Sequence, residues 1–546
     1  MSESGSATGN PCLTKTHDDA ALYLRSDTKM EPLSCGWYTW GHLVPPIQQA
    51  LNIAFRQLSL LKSFVATPSI HEAASLDPTL LGSPFVQLRR ADVPQVSALI
   101  ADTLSRCGNL IQFAESLMAL TRQLRESATG YSLEGLYKNM APSLGGLVEL
   151  VYDLSNQPGF LVNEELSFDA DLDNSLTQQI ALSAAKDRDR GFFLNTPRLP
   201  SPERLILPMP FADSRLDIMA ASRIRGVSPD RLLNGLNVPL AQSERFFQFF
   251  STTPPLRNQP SYSGEDVRVR YFGHACVLLQ TSKVSVLIDP LLVCGHEESE
   301  ATLTFDDLPD CIDYVFITHN HQDHLCPEIL LQLRSRIGHI LVPRNNPGNL
   351  ADPSMRLTLR ALGFANVTVM DPLDKITITD GEVISLPFYG EHADLSIQSK
   401  HGMYLRLKGK TFAFLADSNC LDRMLYRRLR GRLGRVDTLF VGMECDGAPL
   451  SWLYSPYLPL AVKRKDDESR RLSGSDGDRA WTVLEELGAG RVFVYAMGQE
   501  PWLKYLCGLQ YTPESKQIVE SNRFIERCKS AGIPAERLYG CREMIF

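Results

Sequence analysis

The twelve cysteines include no C-x-x-C pair and no dense cluster, which excludes a disulfide framework and reads as buried thiols of a reducing compartment. No window approaches 18 uninterrupted apolar residues, so a transmembrane helix is not expected. The N-terminus (MSESGSATGNPCLTKTHDD) lacks a basic start followed by an apolar run, so no signal peptide is expected and the expected compartment is the cytoplasm. Excess positive charge is missing too. The net charge of −8 argues against a general nucleic-acid or membrane-surface binder, because nothing global attracts phosphates.

What is present is the composition of a globular protein, with 44% hydrophobic and 22% charged residues. At 546 residues the chain is too long for one ordinary core, so two or three domains are expected. The first 30 residues are polar and are expected to form a flexible N-terminus. Helical periodicity marks Ile47 to Phe64, Val93 to Cys107, Leu110 to Leu124 and Leu133 to Leu154, the last broken by Pro142 and Gly145-Gly146. With strand-like pieces such as Gly159 to Asn163 between them, residues 31–250 read as an α+β domain for dimerisation or docking. The Pro- and Ser-rich stretch after Ser251 reads as a linker, 251–266.

Strand patterning then takes over. Val267 to Phe272, Ala275 to Gln280, Val284 to Ile288, Tyr314 to Thr318, Tyr404 to Leu407, Thr411 to Leu415, Thr438 to Val441 and Arg491 to Tyr495 read as strands. Helical stretches (Pro327 to Arg334, Arg356 to Leu362, Ala480 to Leu487) lie between several of them. The expectation for 267–546 is α/β, a sandwich of sheets with helices outside.

One run carries chemistry. The strand Asp313-Tyr-Val-Phe-Ile-Thr318 delivers His319-Asn-His321-Gln-Asp323-His324, and Pro327 suits the first turn of the helix that follows. Three histidines and an aspartate within six residues can converge on metal, imidazole suiting zinc or iron and carboxylate bridging or hardening the site.

This H-x-H-x-D-H run, after Tyr271-Phe-Gly-His-Ala275 and Leu287-Ile-Asp-Pro290, resembles the metallo-β-lactamase superfamily. The resemblance implies a C-terminal αββα sandwich holding two metals, with further ligands downstream. Glu391-His392 lies 67 residues past His324 by way of Glu391, and Asp417, ending Phe414-Leu-Ala-Asp, follows 26 residues later. No histidine occurs after His401, so the final histidine of the hydrolases is missing. That leaves an oxygen-rich ligand set, which favours iron and oxidation over zinc and hydrolysis. A dinuclear zinc hydrolase of ester, lactam or phosphodiester bonds stands as the alternative.

The long N-terminal domain, the intact histidine run and the glutamate together resemble a narrower family. These are the diiron β-hydroxylases of nonribosomal peptide biosynthesis, typified by the chloramphenicol-pathway enzyme. The resemblance implies a cytoplasmic, homodimeric monooxygenase with two iron ions, dioxygen as co-substrate and an external reductant from an unknown electron donor. Its partner is the carrier (thiolation) domain of a nonribosomal peptide synthetase, holding an amino acid as a phosphopantetheine thioester; an aromatic one such as 4-aminophenylalanine is included. Residue by residue, the resemblance implies His319, His321, Glu391 and Asp417 on one iron, and Asp323, His324 and bridging Asp417 on the other. Glu391 is preferred to His392 because adjacent strand residues face opposite ways. Glu444, at the end of the next strand, is either an acid beside the cluster or a capping carboxylate. His274 reads as structural, and Cys420 and Cys445 as core. Six arginines between Arg423 and Arg435 read either as a landing strip for an acidic carrier or as a solvated face. Lys463 to Asp478 reads as a mobile loop.

Overall fold

The computed structural model describes residues 21–77, 80, 82–168, 172–295, 302–508 and 510–546. Between the strand Phe250–Ser251 and the strand Arg268–Tyr271 no regular element forms, and on either side of that stretch the chain builds separate sheets.

The N-terminal part centres on a four-stranded antiparallel sheet ordered Trp37–Tyr38, Lys29–Ser34, Gln178–Ser183 and Arg204–Pro208. The apolar stripe expected over Ile47 to Phe64 is a continuous helical run: Pro46–Asn52, a π-helical turn Ile53–Gln57, then Leu58–Ala66. Long helices Val93–Arg106 and Gly108–Ser127 follow where periodicity places them.

Two expectations fail here. The helical reading of Leu133 to Leu154 holds only for the turn Glu134–Tyr137. After Pro142 and the glycine pair, Val148–Tyr152 is a strand paired antiparallel with Pro158–Val162. Its valine and tyrosine content suits a pleated ribbon, and proline with two glycines stops a helix from running through. The flexible N-terminus is also too long as drawn. Residues 1–20 lie outside the described residues, but Tyr23–Leu24 pairs with Phe250–Ser251 and Lys29–Ser34 is buried throughout. Leu24 and Met30 are core residues, so burial of apolar side chains fixes this segment.

The C-terminal part is a sandwich of two seven-stranded sheets. One runs Val367–Met370, Ile337–Pro343, Ile312–Phe316, Ser285–Ile288, Val277–Gln280, Arg268–Tyr271 and Arg542–Ile545; the other runs Lys375–Ile378, Gly381–Leu386, Gly402–Leu407, Lys410–Phe414, Thr438–Gly442, Arg491–Tyr495 and Ala535–Arg537. Alternate side chains of both sheets, among them Val269, Phe316, Phe414 and Phe440, fill the space between them. Helices cover the outer faces, with Pro327–Leu333 and Met355–Ala361 on the first sheet's strands and Arg423–Leu433, Gly477–Leu487 and Lys516–Ser530 packed against the second. The fold is therefore the expected αββα sandwich preceded by an α+β domain. The stretch from Lys463 is not a free loop: it contains the helix Arg464–Ser469, and the N–H groups of Leu472 and Gly474 bond the carbonyls of Ala448 and Glu444.

The two parts share a core. Trp37, Trp40 and Phe193 pack in one apolar cluster with Leu325, Ile329, Leu453 and Tyr505. Inside it sits a buried ion network, in which Arg190 bonds Glu31 at 2.9 Å, Asp187 at 3.0 Å and Glu328 at 2.6 Å. Arg198 adds a second cation on Glu31. The Arg190 guanidinium lies 3.6 Å from the centre of the Tyr505 ring. Charges this deep persist only when paired and hydrogen-bonded. Glu328 lies in the first turn of the helix after the histidine run and Tyr505 two residues before Cys507, so the N-terminal domain braces both of these segments.

Candidate metal centre

Ligand-type side chains gather beyond the carboxyl ends of parallel strands, where an α/β sheet leaves a crevice. Ile312–Phe316 leads to the histidine run, Ser285–Ile288 to Asp289, Lys410–Phe414 to Asp417 and Thr438–Gly442 to Glu444. Close packing of these turns demands glycine at two places. A Cβ on Gly442 would overlap the carbonyl of Ala416, and one on Gly390, whose φ is +83°, would overlap the Asn419 side chain.

Two groups of side chains result. His319, His321, Glu391 and Asp417 bring one ligand atom each within 4.8 Å of one another, and so do His274, Asp323 and His324. All are buried. His321 Nδ1 lies 3.1 Å from Glu391 Oε1, and Asp417 Oδ2 stands between the groups, 3.5 Å from His319 Nε2 and 3.4 Å from His324 Nε2. That position suits a bridging carboxylate.

The opposite ring nitrogens are occupied. His319 Nδ1 meets Thr318 Oγ1 at 3.0 Å, His324 Nδ1 meets Asp289 Oδ2 at 2.8 Å and His321 Nε2 meets the Tyr454 hydroxyl at 3.1 Å. Asp289 is itself fixed by the N–H and hydroxyl of Thr318, both at 2.7 Å. Such partners orient imidazoles so that the free nitrogen faces a metal. His319 Nε2, His324 Nε2 and Asp417 Oδ1 are buried without a hydrogen-bond partner among the described residues. Orphaned polar atoms of this kind are costly, and cations would satisfy all three. The residues present therefore fit a pair of metal ions.

Electrostatics agree. Burial and the neighbouring His324 push His319 down to about 3, so it stands as a neutral donor. His324 is raised well above its ordinary value: burial opposes its charge, but Asp417, Asp289 and Asp323 outweigh it. Asp417 is held far below the carboxylate range, where His324 and His319 overcome the cost of burial. Burial and the charges of Asp417, Asp323 and Glu391 raise Glu444 well above its ordinary value. Glu444 lines the cavity with the ligands.

His274 needs separate treatment. Its Nε2 lies 3.2 Å from Asp323 Oδ2, close enough to count among ligands by distance. Its Nδ1, however, accepts the backbone N–H of Gly498 at 3.1 Å. With Nδ1 accepting, the ring proton sits on Nε2, facing Asp323, which is the arrangement of a residue that orients a carboxylate.

Strand alternation does not separate Glu391 from His392, because neither lies in a strand. Residues 387–399 are irregular, with Gly390, Glu391, Ala393 and Asp394 all at positive φ, so Glu391 lines the cavity while His392 is buried beside it. His392 stacks on His321 with ring centres 4.5 Å apart, and its Nδ1 is 2.9 Å from Glu391 Oε2. Cys420 and Cys445 stay outside both groups, whereas the thiol of Cys507 reaches Asp323 Oδ2 at 3.6 Å. Sequence reasoning missed Tyr454, Cys507 and the holding role of Asp289. Only Asp289, at the end of an apolar strand, left a signal.

Beyond the ligands opens a cavity of about 420 Å³, lined by Ala448, Pro449, Trp452, Leu453 and Leu472, with Asp446 and Arg471 among its polar residues. The N-terminal domain supplies Gly82 and Ser83 to its wall, and the Trp452 indole N–H donates to the Gly82 carbonyl at 3.1 Å.

Residues 23–254 match the model of the diiron non-heme beta-hydroxylase N-terminal domain, and residues 268–444 match that of the beta-lactamase superfamily domain. The chain belongs to the diiron non-heme β-hydroxylases built on a metallo-β-lactamase fold. Among curated proteins it is 34% identical over 523 residues to the 4-amino-L-phenylalanyl-[CmlP-peptidyl-carrier-protein] 3-hydroxylase of Streptomyces venezuelae, covering 94% of this chain and 98% of that one. The crystal structure of CmlA, a diiron beta-hydroxylase from Streptomyces venezuelae, superposes with a TM-score of 0.90 at 32% identity, covering 97% of this chain and 100% of that one. A UPF0173 protein of Pyrococcus abyssi is 27% identical over 175 residues, 32% of this chain and 69% of that one. No described helix is long and apolar enough to cross a membrane.

Proposed function

We propose that this protein hydroxylates the β-carbon of an amino acid held as a thioester on the carrier domain of a nonribosomal peptide synthetase. The observation that carries the reading is the carboxylate-rich double site, in which Glu391 and Asp417 join His319 and His321 and no histidine follows His401 to add a further imidazole. In this reading His319, His321, Glu391 and Asp417 would hold one iron, and Asp323 and His324, with Asp417 shared, would hold the other. When bound, the iron pair supplies the oxidising chemistry, consuming dioxygen and two electrons from an external donor.

The chain's own contributions are positional. Thr318, Asp289 and Tyr454 fix the three ligand imidazoles, and His274 steers Asp323. Trp452, Leu453, Pro449 and Leu472 give the cavity an apolar wall suited to an aromatic or aliphatic side chain, and they exclude water from the reacting carbon. Glu444 lines the cavity beside these side chains and is placed to hydrogen-bond a group of the bound substrate. Tethering on a carrier raises the local substrate concentration once the partner docks.

Metal analysis tests the reading. Protein from iron-supplemented cells is expected to contain two irons per chain and to add one oxygen atom to a loaded carrier domain when given a reductant and air. Two zincs per chain, with hydrolysis of ester or lactam substrates, would overturn it in favour of the hydrolase alternative.

A further inference from the structure

The helix Arg423–Leu433 reads RMLYRRLRGRL. In a chain of net charge −8 it concentrates five arginines, with Arg435 two residues further on. All six are exposed. Helical geometry sorts them into two rows. The inner row, Arg423, Arg427 and Arg430, leans on the end of the helix Gly477–Leu487. Glu486 accepts both Arg423 and Arg427, the latter at 2.9 Å, and Arg430 packs over Gly488. Arg435 donates to the Gly488 carbonyl at 3.2 Å.

The outer row is Met424, Arg428 and Arg432, four residues apart. Among the described residues neither Arg428 nor Arg432 has an acidic partner. Like charges at this spacing cost helix stability, and Arg423 in the first turn opposes the macrodipole. The helix does not owe its position to them: its buried face is Tyr426 and Leu429. Beside the row lie three exposed apolar side chains, Leu421 at 55%, Met424 at 37% and Tyr389 at 45% exposure. This is a basic strip with an apolar margin.

Its place in the fold ties it to the metal centre. Tyr389 is two residues before Glu391, and its carbonyl accepts the N–H of Asn419, two residues after Asp417. On the helix's inner side the Tyr426 hydroxyl lies 3.3 Å from Ser418 Oγ, adjacent to Asp417. The strip is therefore the outer surface of the two turns that carry Glu391 and Asp417.

We propose that Arg428 and Arg432, with Leu421, Met424 and Tyr389, form the docking surface for the anionic carrier domain that delivers the substrate; this rests on the reading under Proposed function. A carrier bears a phosphodiester on its arm, which gives the partner a permanent negative charge close to the substrate it delivers. Unpaired guanidiniums offer planar, bidentate donors to carboxylate and phosphate. Complementary charge speeds encounter and makes it sensitive to salt, and the apolar margin supplies contact area once water is expelled.

The test uses full-length, iron-loaded protein and a peptidyl-carrier domain charged with 4-amino-L-phenylalanine, against the same amino acid as a free pantetheine thioester. The R428E/R432E variant is expected to raise KM for the carrier substrate on the order of tenfold, with kcat, turnover of the free thioester and iron content unchanged. The R428K/R432K variant is expected to retain most of the wild-type KM. Added salt should raise KM for the wild type and leave the reversed variant flat. Equal KM and equal salt dependence in wild type and R428E/R432E would overturn the surface while leaving hydroxylation intact. Wild-type protein that adds no oxygen to either substrate would overturn the function itself. Loss of single-stranded DNA binding in the variant with carrier KM unchanged would assign the strip to nucleic acid, and overturn the proposal.

Discussion

Glu391 and His392 are neighbours in the chain yet both face His321, Glu391 through Oε1 at 3.1 Å from Nδ1 and His392 through a ring stacked at 4.5 Å. Positive φ at Gly390 and Glu391 makes this possible, since the turn does not alternate as a strand would. Only the carboxylate joins the atoms that converge on His319, His321 and Asp417.

Glu391→Ala is therefore expected to lower bound iron from two per chain toward one, because it removes one of the atoms that close the first group. His392→Ala should keep both irons. Iron quantified per chain in the two variants checks this, and full iron in Glu391→Ala with loss in His392→Ala would reverse the ligand assignment.

Among the described residues, His321 Nε2 has one hydrogen-bond partner, the Tyr454 hydroxyl. Tyr454→Phe keeps the ring and removes that anchor, which is expected to weaken iron retention about 10- to 100-fold. Competition against a chelator measures it.

Much of the fold was legible in the sequence, and the physical reasons differ by element. Apolar strands such as Val284 to Ile288 and Tyr314 to Thr318 announced themselves because both faces of these sheets are buried. The histidine run was legible because its ligands are local. His274 and Tyr454 were not: they reach the site from 45 residues before His319 and 133 residues after His321, and no spacing encodes that approach. The segment Val148–Tyr152 was misread because apolar residues in a short stretch fit helix and strand alike. The bracing of the site by the N-terminal domain was invisible, since Glu31, Arg190 and Glu328 converge only in three dimensions.

That buried network yields a stability prediction. Arg190→Met leaves Glu31 and Glu328 without their shared cation in a desolvated core, and removing one member of such a network costs about 3–5 kcal/mol. Denaturant unfolding of the variant measures the loss. A change within about 0.5 kcal/mol, the range of ordinary surface substitutions, would mean that Arg190 does not support the joined core.

The clamp on the arginine helix gives a pH dependence. Hydrogen bonds from Arg427 and Arg423 hold the Glu486 carboxyl down at about 2, from an ordinary 4.5. A depressed folded-state value means that the stabilisation is complete above the ordinary carboxylate range and is lost as pH falls toward about 2. Glu486→Gln should lower Tm near neutral pH, and the gap to wild type should close on acidification through that window. A gap that stays constant would show that the clamp does not stabilise the helix.

The central claim is that the carboxylate-rich centre inserts oxygen into a carrier-bound amino acid. Its most direct test is mass spectrometry of a peptidyl-carrier domain loaded with 4-amino-L-phenylalanine after single turnover with reduced, iron-loaded protein under ¹⁸O₂. The expected product carries one labelled oxygen on the β-carbon, with the thioester intact. Unlabelled product, or release of the amino acid by hydrolysis of the thioester, would contradict it.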